Sequence, residues 1–175
     1  RAAELGSEHW FIHSNVADTL LQLEDHSGAL VSADRAIALA PQKPTPHRYR
    51  GEALLALSRA KEAVLAFEQV LELAQNDELA RMSLVTALQH CGRHEVALAH
   101  CDVLEGCENR GAWANWARGV SLEALGRREE AAAAFMAAKA RYLAVGNEKS
   151  AALCEQEVAR LNKPTGFFAR LLGRR

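Results

Sequence analysis

The sequence is poor in the residues that build β-sheet cores. Aromatic residues make up only 6% of its 175 residues. This aromatic content leaves little material for a β-sandwich core. No apolar run approaches the roughly 18 residues that a membrane-spanning helix needs. The sequence therefore predicts neither a β-sandwich nor a transmembrane protein.

A large excess of charge of one sign is also missing. The net charge is −1 at pH 7, and the pI is near 6.7. A chain that binds nucleic acid through its overall charge is strongly basic. We therefore expect no nucleic-acid partner.

Alanine and leucine carry most of the 49% hydrophobic fraction, a composition that favours helix. The chain is long enough for one domain with a sizeable core. The four cysteines lie within helical apolar patterns, as buried reduced thiols do. We therefore expect a soluble all-α protein in the reducing cytoplasm, although a removed targeting signal is an open alternative because the sequence begins at Arg1.

The chain contains an internal repeat of 34 residues, found in four copies without insertion or deletion. A mostly small column recurs in the first helices, at Ala17, Gly51, Val85 and Gly119. Leucine recurs three residues later, at Leu20, Leu54, Leu88 and Leu122. Each second helix has an alanine, at Ala29, Ala63, Ala97 and Ala131. The small columns predict close helix crossings, the leucines predict interhelical packing, and Gly92 and Gly126 predict the ends of first helices.

These columns resemble the tetratricopeptide repeat family, whose second helix also carries an aromatic residue. Phe67 and Phe135 match it, whereas Ala33 and Cys101 replace it, and only Pro41 keeps the closing proline. The resemblance implies an all-α, right-handed α-solenoid of antiparallel helix pairs. Its predicted parts are four repeats over residues 10–145 (10–43, 44–77, 78–111 and 112–145) and a capping helix over residues 147–163.

The two ends of the sequence carry further predictions. Ala2 and Leu5, within residues 1–9, are in register with the end of a second helix. They indicate the remnant of a preceding repeat, or else a short N-terminal helix, and the N-terminal edge is then a candidate surface for self-association. Residues 164–175 form a basic amphipathic tail, with the docking residues Phe167, Phe168, Arg170, Leu171 and Leu172.

The resemblance implies a concave face lined by first helices, whose inward columns also include Ser14 and Ala117. The predicted groove contacts for a protein or peptide partner are Phe11, Asn15, Arg48, Tyr49, Leu79, Met82, Trp113 and Trp116. Trp113 and Trp116 share a helix face, and their alternative role is packing against the preceding repeat or the capping helix. Asp18 and Glu52 would repel a C-terminal carboxylate, the ligand of the family's best-known binding mode.

The predicted function is therefore a non-catalytic interaction module that binds a peptide or a helix of a partner protein. One alternative is an adaptor that the tail localises to a membrane by a weak contact; the tail's other interpretation is that it folds back on the capping helix. Another alternative is the accessory region of a larger enzyme.

The histidines and cysteines of residues 90–101 do not form a convincing metal site. His90 and His94 lie on either side of the turn at Gly92, and Cys91 and Cys101 occupy core columns. The sequence contains no nucleophile elbow, phosphate-binding loop or paired carboxylates. We therefore predict no metal, no cofactor and no catalysis.

Overall fold

The computed structural model describes residues 9–107 and 110–163. All regular structure in these two segments is α-helical. The helices are α1 (Trp10–Gln22), α2 (His26–Leu39), α3 (Pro44–Ala56), α4 (Ala60–Leu73), α5 (Glu78–His90), α6 (His94–Glu105), α7 (Gly111–Ala124), α8 (Arg128–Ala144) and α9 (Glu148–Asn162). None of these helices is long and apolar enough to cross a membrane.

The chain divides into two compact units, Arg1–His100 and Cys101–Arg175. In the first unit α1 packs on α2, α2 on α3, α3 on α4, and α4 on α5. The first helices of successive pairs, α1, α3 and α5, also pack side by side and form a layer. In the second unit α8 packs on both α7 and α9. Helix pairs of similar length that stack on their neighbours are the architecture of an α-solenoid.

The repeated small residues make the close crossings within the pairs. All four alanines of the second-helix column (Ala29, Ala63, Ala97 and Ala131) are fully buried. A Cβ atom added at Gly51 would lie 2.7 Å from Cε1 of the Phe67 ring, and one at Gly119 equally close to Phe135. Each phenyl ring therefore packs directly against the backbone of a glycine, in space that a side chain would otherwise occupy.

The turns after the first helices share one backbone conformation. Gly92 and Gly126 have φ values of +70° and +76°, and Glu24 and Ser58, at the same position of their turns, have φ values of 61° and 60°. This left-handed conformation suits glycine and strains other residues. The helix after the turn begins with a cap at Asp25 in the first pair, where the carboxylate accepts a hydrogen bond from the Gly28 amide at 2.9 Å.

Candidate partner-binding surface

The first helices of the first unit carry six of the predicted contact residues on one layer. Phe11 and Asn15 lie on α1, Arg48 and Tyr49 on α3, and Leu79 and Met82 on α5. Phe11 and Leu79 are 49% and 48% exposed, Asn15 is exposed, and Arg48, Tyr49 and Met82 are half-buried. The α1–α3–α5 layer therefore presents apolar and aromatic side chains to solvent.

Two residues of the predicted inward columns are not accessible. Ser14 is 2% exposed, and its hydroxyl has no hydrogen-bond partner among the described residues. Ala117 on α7 is fully buried. Their assignment to the surface was wrong, because a first helix packs on more than one neighbour and its buried stripe is wider than the core columns alone indicate.

Charge on the layer is concentrated around Arg48 and Glu52 of α3. Arg48 Nε lies 3.8 Å from Glu52 Oε1, and the guanidinium carbon lies 5.4 Å from the centroid of the Tyr49 ring. Burial raises the pKa of Glu52, Arg48 lowers it, and the carboxylates of Asp18 and Asp77 raise it further. Two neighbouring carboxylates and one guanidinium therefore set the electrostatics around Glu52.

Trp10 at the start of α1 was not among the predicted site residues. The Lys43 ammonium lies 5.6 Å from the centroid of its ring, in a cation–π arrangement that connects α1 to the residue before α3. The indole is half-buried. The sequence signal that could have identified Trp10 as a candidate contact residue is a tryptophan that belongs to none of the repeat columns.

In the second unit, Trp113 and Trp116 are half-buried on α7. Asn115 between them is 2% exposed, and its Nδ2 has no hydrogen-bond partner among the described residues. Next to them, Arg118 makes ion pairs with Asp102 at 2.5 Å and Glu105 at 2.8 Å. The two indoles are thus partly exposed on α7, whose buried residues include Ala114, Asn115 and Ala117.

A polar cleft lies on the second-helix side of the first unit. Its lining residues are Glu68, Leu71, Glu72 and Gln75 with Arg81, Leu84 and His100. Arg81 donates a hydrogen bond to the Gln75 carbonyl at 2.6 Å, and its Nη1 lies 3.4 Å from His100 Nδ1. Burial, followed by the charge of Arg81, lowers the pKa of His100. Neutral imidazole is therefore favoured in this cleft.

An apolar groove lies between α8 and α9 in the second unit. We call it the α8–α9 groove; it is lined by Met136, Lys139, Ala140, Leu143, Glu155 and Val158. Met136 and Leu143 are 59% and 50% exposed. The sequence columns did not indicate this groove, because its residues are not part of the repeated core.

The two buried cysteines do not have the properties of nucleophiles. All four thiols are free, and burial raises the pKa of the Cys101 thiol to about 12 and raises that of Cys154. Within residues 9–107 and 110–163, no group of three or more histidine, cysteine or acidic side chains is arranged to hold a metal ion. The predicted tail residues Phe167, Phe168, Arg170, Leu171 and Leu172, like the N-terminal residues 1–8, lie outside the described residues.

Comparison with known proteins bears on the fold. No family model matches the chain, and no curated protein sequence matches it. Among solved structures, the chain is similar to MamA 41-end from Desulfovibrio magneticus RS-1, with a TM-score of 0.69 and 19% identity over 88% of this chain and 95% of that chain. It is also similar to YrrB, described as a TPR protein with an unusual peptide-binding site, with a TM-score of 0.60 and 20% identity over 93% of this chain and 91% of that chain. The predicted all-α tetratricopeptide-like fold is confirmed.

Proposed function

We propose that the chain is a non-catalytic interaction protein that binds a peptide or a helix of a partner on the α1–α3–α5 layer. The observation that carries the proposal is the exposure of Phe11 and Leu79, at 49% and 48%, beside half-buried Tyr49 and Met82. Aromatic residues and methionine are enriched where proteins bind each other. The similarity to YrrB, a TPR protein with a peptide-binding site, supports the same class of function.

The preferred ligand is apolar with one or two basic residues. The carboxylates of Asp18 on α1 and of Asp77, which caps α5, act electrostatically on Glu52 of α3, with Arg48 as the nearby cation. A lysine or arginine of the ligand would relieve the repulsion among these carboxylates. Apolar side chains of the same ligand would cover Phe11 and Leu79.

The remaining parts of the proposal concern organisation and location. We assign the four repeats to residues 10–145 and a second contact area to Trp113 and Trp116 on α7. The buried or half-buried reduced thiols suit a reducing cytoplasm. A partner protein, without nucleic acid, is the expected ligand.

The test is a selection of binding peptides followed by measurement of their affinities. Peptides from a random display library are selected on the wild-type chain, and their Kd values are measured by fluorescence polarisation against Leu79→Asp and Leu65→Asp. Leu65 is a matched control, since it is 65% exposed but lies on the second helix α4. We expect Leu79→Asp to weaken binding at least about tenfold, equivalent to about 1.4 kcal/mol, and Leu65→Asp to leave it unchanged.

Equal affinities for the two variants would move the binding surface away from the α1–α3–α5 layer. Circular dichroism of both variants shows whether the helices are retained. A Trp113→Ala, Trp116→Ala variant, measured with the same peptides, tests the second contact area separately.

A further inference from the structure

His100, which lines the polar cleft, breaks the residue pattern of its repeat column. The residues at the same position of the other second helices are Ser32, Ala66 and Ala134, and all three are buried. The third copy therefore places a half-buried imidazole where the other copies place a small side chain that takes up no proton. An imidazole at such a position makes the packing of its helix depend on pH.

The side chain that faces His100 is a cation held in place. Nη1 of Arg81 lies 3.4 Å from Nδ1 of His100. A guanidinium donates hydrogen bonds and cannot accept them, so this contact is favourable only while Nδ1 carries no proton. Nη2 of Arg81 also donates to the Gln75 carbonyl oxygen at 2.6 Å, and this bond keeps the guanidinium beside the imidazole. The geometry therefore selects neutral His100 with its proton on Nε2.

The combination of arginine and histidine at these two positions belongs to the third copy. The equivalent pairs in the other copies are His13 and Ser32, His47 and Ala66, and Asn115 and Ala134. None of these pairs sets a permanent cation against a second group that can become cationic. A pH effect at this contact is therefore expected in the third copy and not in the other three.

The other charged groups around His100 do not reverse its preference for the neutral form. Burial is the largest cause that lowers the pKa of His100, and the charge of Arg81 is the second. The carboxylate of Glu68 on α4 raises this pKa, whereas Arg93, in the turn before α6, lowers it. Glu72 of α4, which is exposed, also lines the cleft. The net result is a lowered pKa, so His100 binds a proton less readily in the folded protein than in the unfolded chain.

The contact lies where α6 meets α4 and α5. These two helices supply apolar as well as polar lining of the cleft, including Leu71 and Leu84. Leu84 is buried, so the cleft borders on the core of the first unit. A charge on His100 would therefore be placed beside buried apolar surface, where it is poorly solvated.

We propose that the Arg81–His100 contact is an acid-sensitive latch, in which protonation of His100 at Nδ1 releases residues 94–100 of α6 from α4 and α5. The proton comes from solvent, which reaches the half-buried imidazole through the cleft. Two cations then face each other while Arg81 stays bound to the Gln75 carbonyl oxygen. Their repulsion and the cost of burying the imidazolium both favour the released form.

The direction of the pH dependence follows from the lowered pKa of His100 in the closed form. Between this pKa and the ordinary histidine pKa of about 6.5, the released form binds more protons than the closed form. The stability that the latch contributes is therefore complete above the ordinary pKa and is lost as the pH falls towards the lowered one. The latch is closed at neutral pH and opens in mild acid.

Hydrogen exchange followed by mass spectrometry measures the release of α6. From about pH 7.5 to about pH 5.0, after correction for the intrinsic rate, we expect exchange of residues 94–100 to accelerate at least about threefold relative to α2. α2 carries Ser32 at the position of His100 and serves as the internal control. His100→Ala is the matched variant, because alanine occupies this position in α4 and α8, and it should show no such acceleration.

Titration of the histidines by NMR tests the electrostatic part separately. The signal of His100 is the one that is missing from the spectrum of His100→Ala. Its pKa should lie below about 6.5 in the wild-type chain. It should rise in Arg81→Asn, which introduces the residue found at this position of α7, and fall further in Glu68→Gln.

Each other outcome overturns the proposal. Equal acceleration in the wild-type chain and His100→Ala would assign the acid sensitivity to other groups, and unchanged exchange in the wild-type chain would show that no latch opens. If His100→Ala does not fold, Arg81→Asn provides the comparison, and an acceleration as large as that of the wild-type chain contradicts the latch. Peptide binding to the α1–α3–α5 layer is measured at neutral pH, so the two proposals fail separately.

Discussion

At the residue scale, the sizes of two facing residues are matched across the second, third and fourth helix pairs. The glycines at positions 51 and 119 each face a phenyl ring that a Cβ would meet at 2.7 Å. Phe67 and Phe135 are essentially without exposed surface. In the third copy the corresponding residues in the sequence are Val85 and Cys101, a larger residue with a smaller one. The pattern predicts that the two positions compensate each other.

Exchanging the sizes in the last pair tests this compensation. We expect Gly119→Val to lower the free energy of unfolding by about 1 to 3 kcal/mol through overpacking, and Phe135→Cys to lower it by about 3 kcal/mol through the cavity it leaves. Because valine fills that cavity, the double variant should lose about 1 kcal/mol or more less stability than the sum of the two single losses. Urea unfolding followed by circular dichroism measures all three.

A control with a substitution at the surface completes the cycle. Ala124→Val changes an exposed residue at the end of α7 and should combine with Phe135→Cys additively. If Gly119→Val and Phe135→Cys also combine additively, positions 119 and 135 are energetically independent and the predicted compensation is wrong.

At the scale of the element, the helix pairs differ in how well their turns suit the backbone. Glu24 and Ser58 adopt the same left-handed conformation as Gly92 and Gly126. For a residue with a Cβ atom this conformation costs roughly 1 to 2 kcal/mol. The backbone is therefore strained in the turns at Glu24 and Ser58 and unstrained in the turns at Gly92 and Gly126.

Replacing Ser58 with glycine should stabilise the protein. We expect a gain of about 0.5 to 1 kcal/mol, because the relief of strain exceeds the extra entropy that glycine gives the unfolded chain. Gly126→Ser should lower stability by a similar amount. Thermal unfolding of the two variants measures both signs, and a loss of stability for Ser58→Gly would show that the Ser58 side chain stabilises its turn.

At the scale of the whole molecule, α1 exposes apolar residues at positions whose equivalents in a later repeat are buried. Ile12 and Val16 are 45% and 42% exposed. The residues two repeat lengths later, Ala80 and Leu84 on α5, are 0% and 1% exposed, because α4 packs on α5. Among the described residues, this stripe of α1 has the composition of an internal surface but is exposed, which is the observation on which the predicted self-association at this edge rests.

Charges on this stripe should abolish self-association. We expect Ile12→Glu, Val16→Glu to shift the protein to monomer in sedimentation velocity, since two buried carboxylates would make the apolar contact unfavourable. Val31→Glu, at a 51% exposed position of α2, is the matched control and should leave the distribution unchanged. A wild-type chain that stays monomeric at all concentrations would contradict the proposed edge contact.

The sequence by itself determined the repeat and most of its core. The 34-residue period identified helix pairs, and the alanine column that it predicted as buried is fully buried at Ala29, Ala63, Ala97 and Ala131. Gly92 and Gly126 were predicted to end first helices, and both have positive φ. These features were readable because each recurs at one spacing, so that local chemistry and register point to the same structure.

The tertiary structure decided which side chains remain accessible. Ser14 and Ala117 lie in surface columns by spacing but are buried, whereas Ile12 and Val16 match core positions but are exposed. Met136 and Leu143 became a groove only where α9 packs on α8. The physical reason is that the residue pattern sets which face of a helix is apolar, whereas the presence of a neighbouring helix sets whether that face is covered.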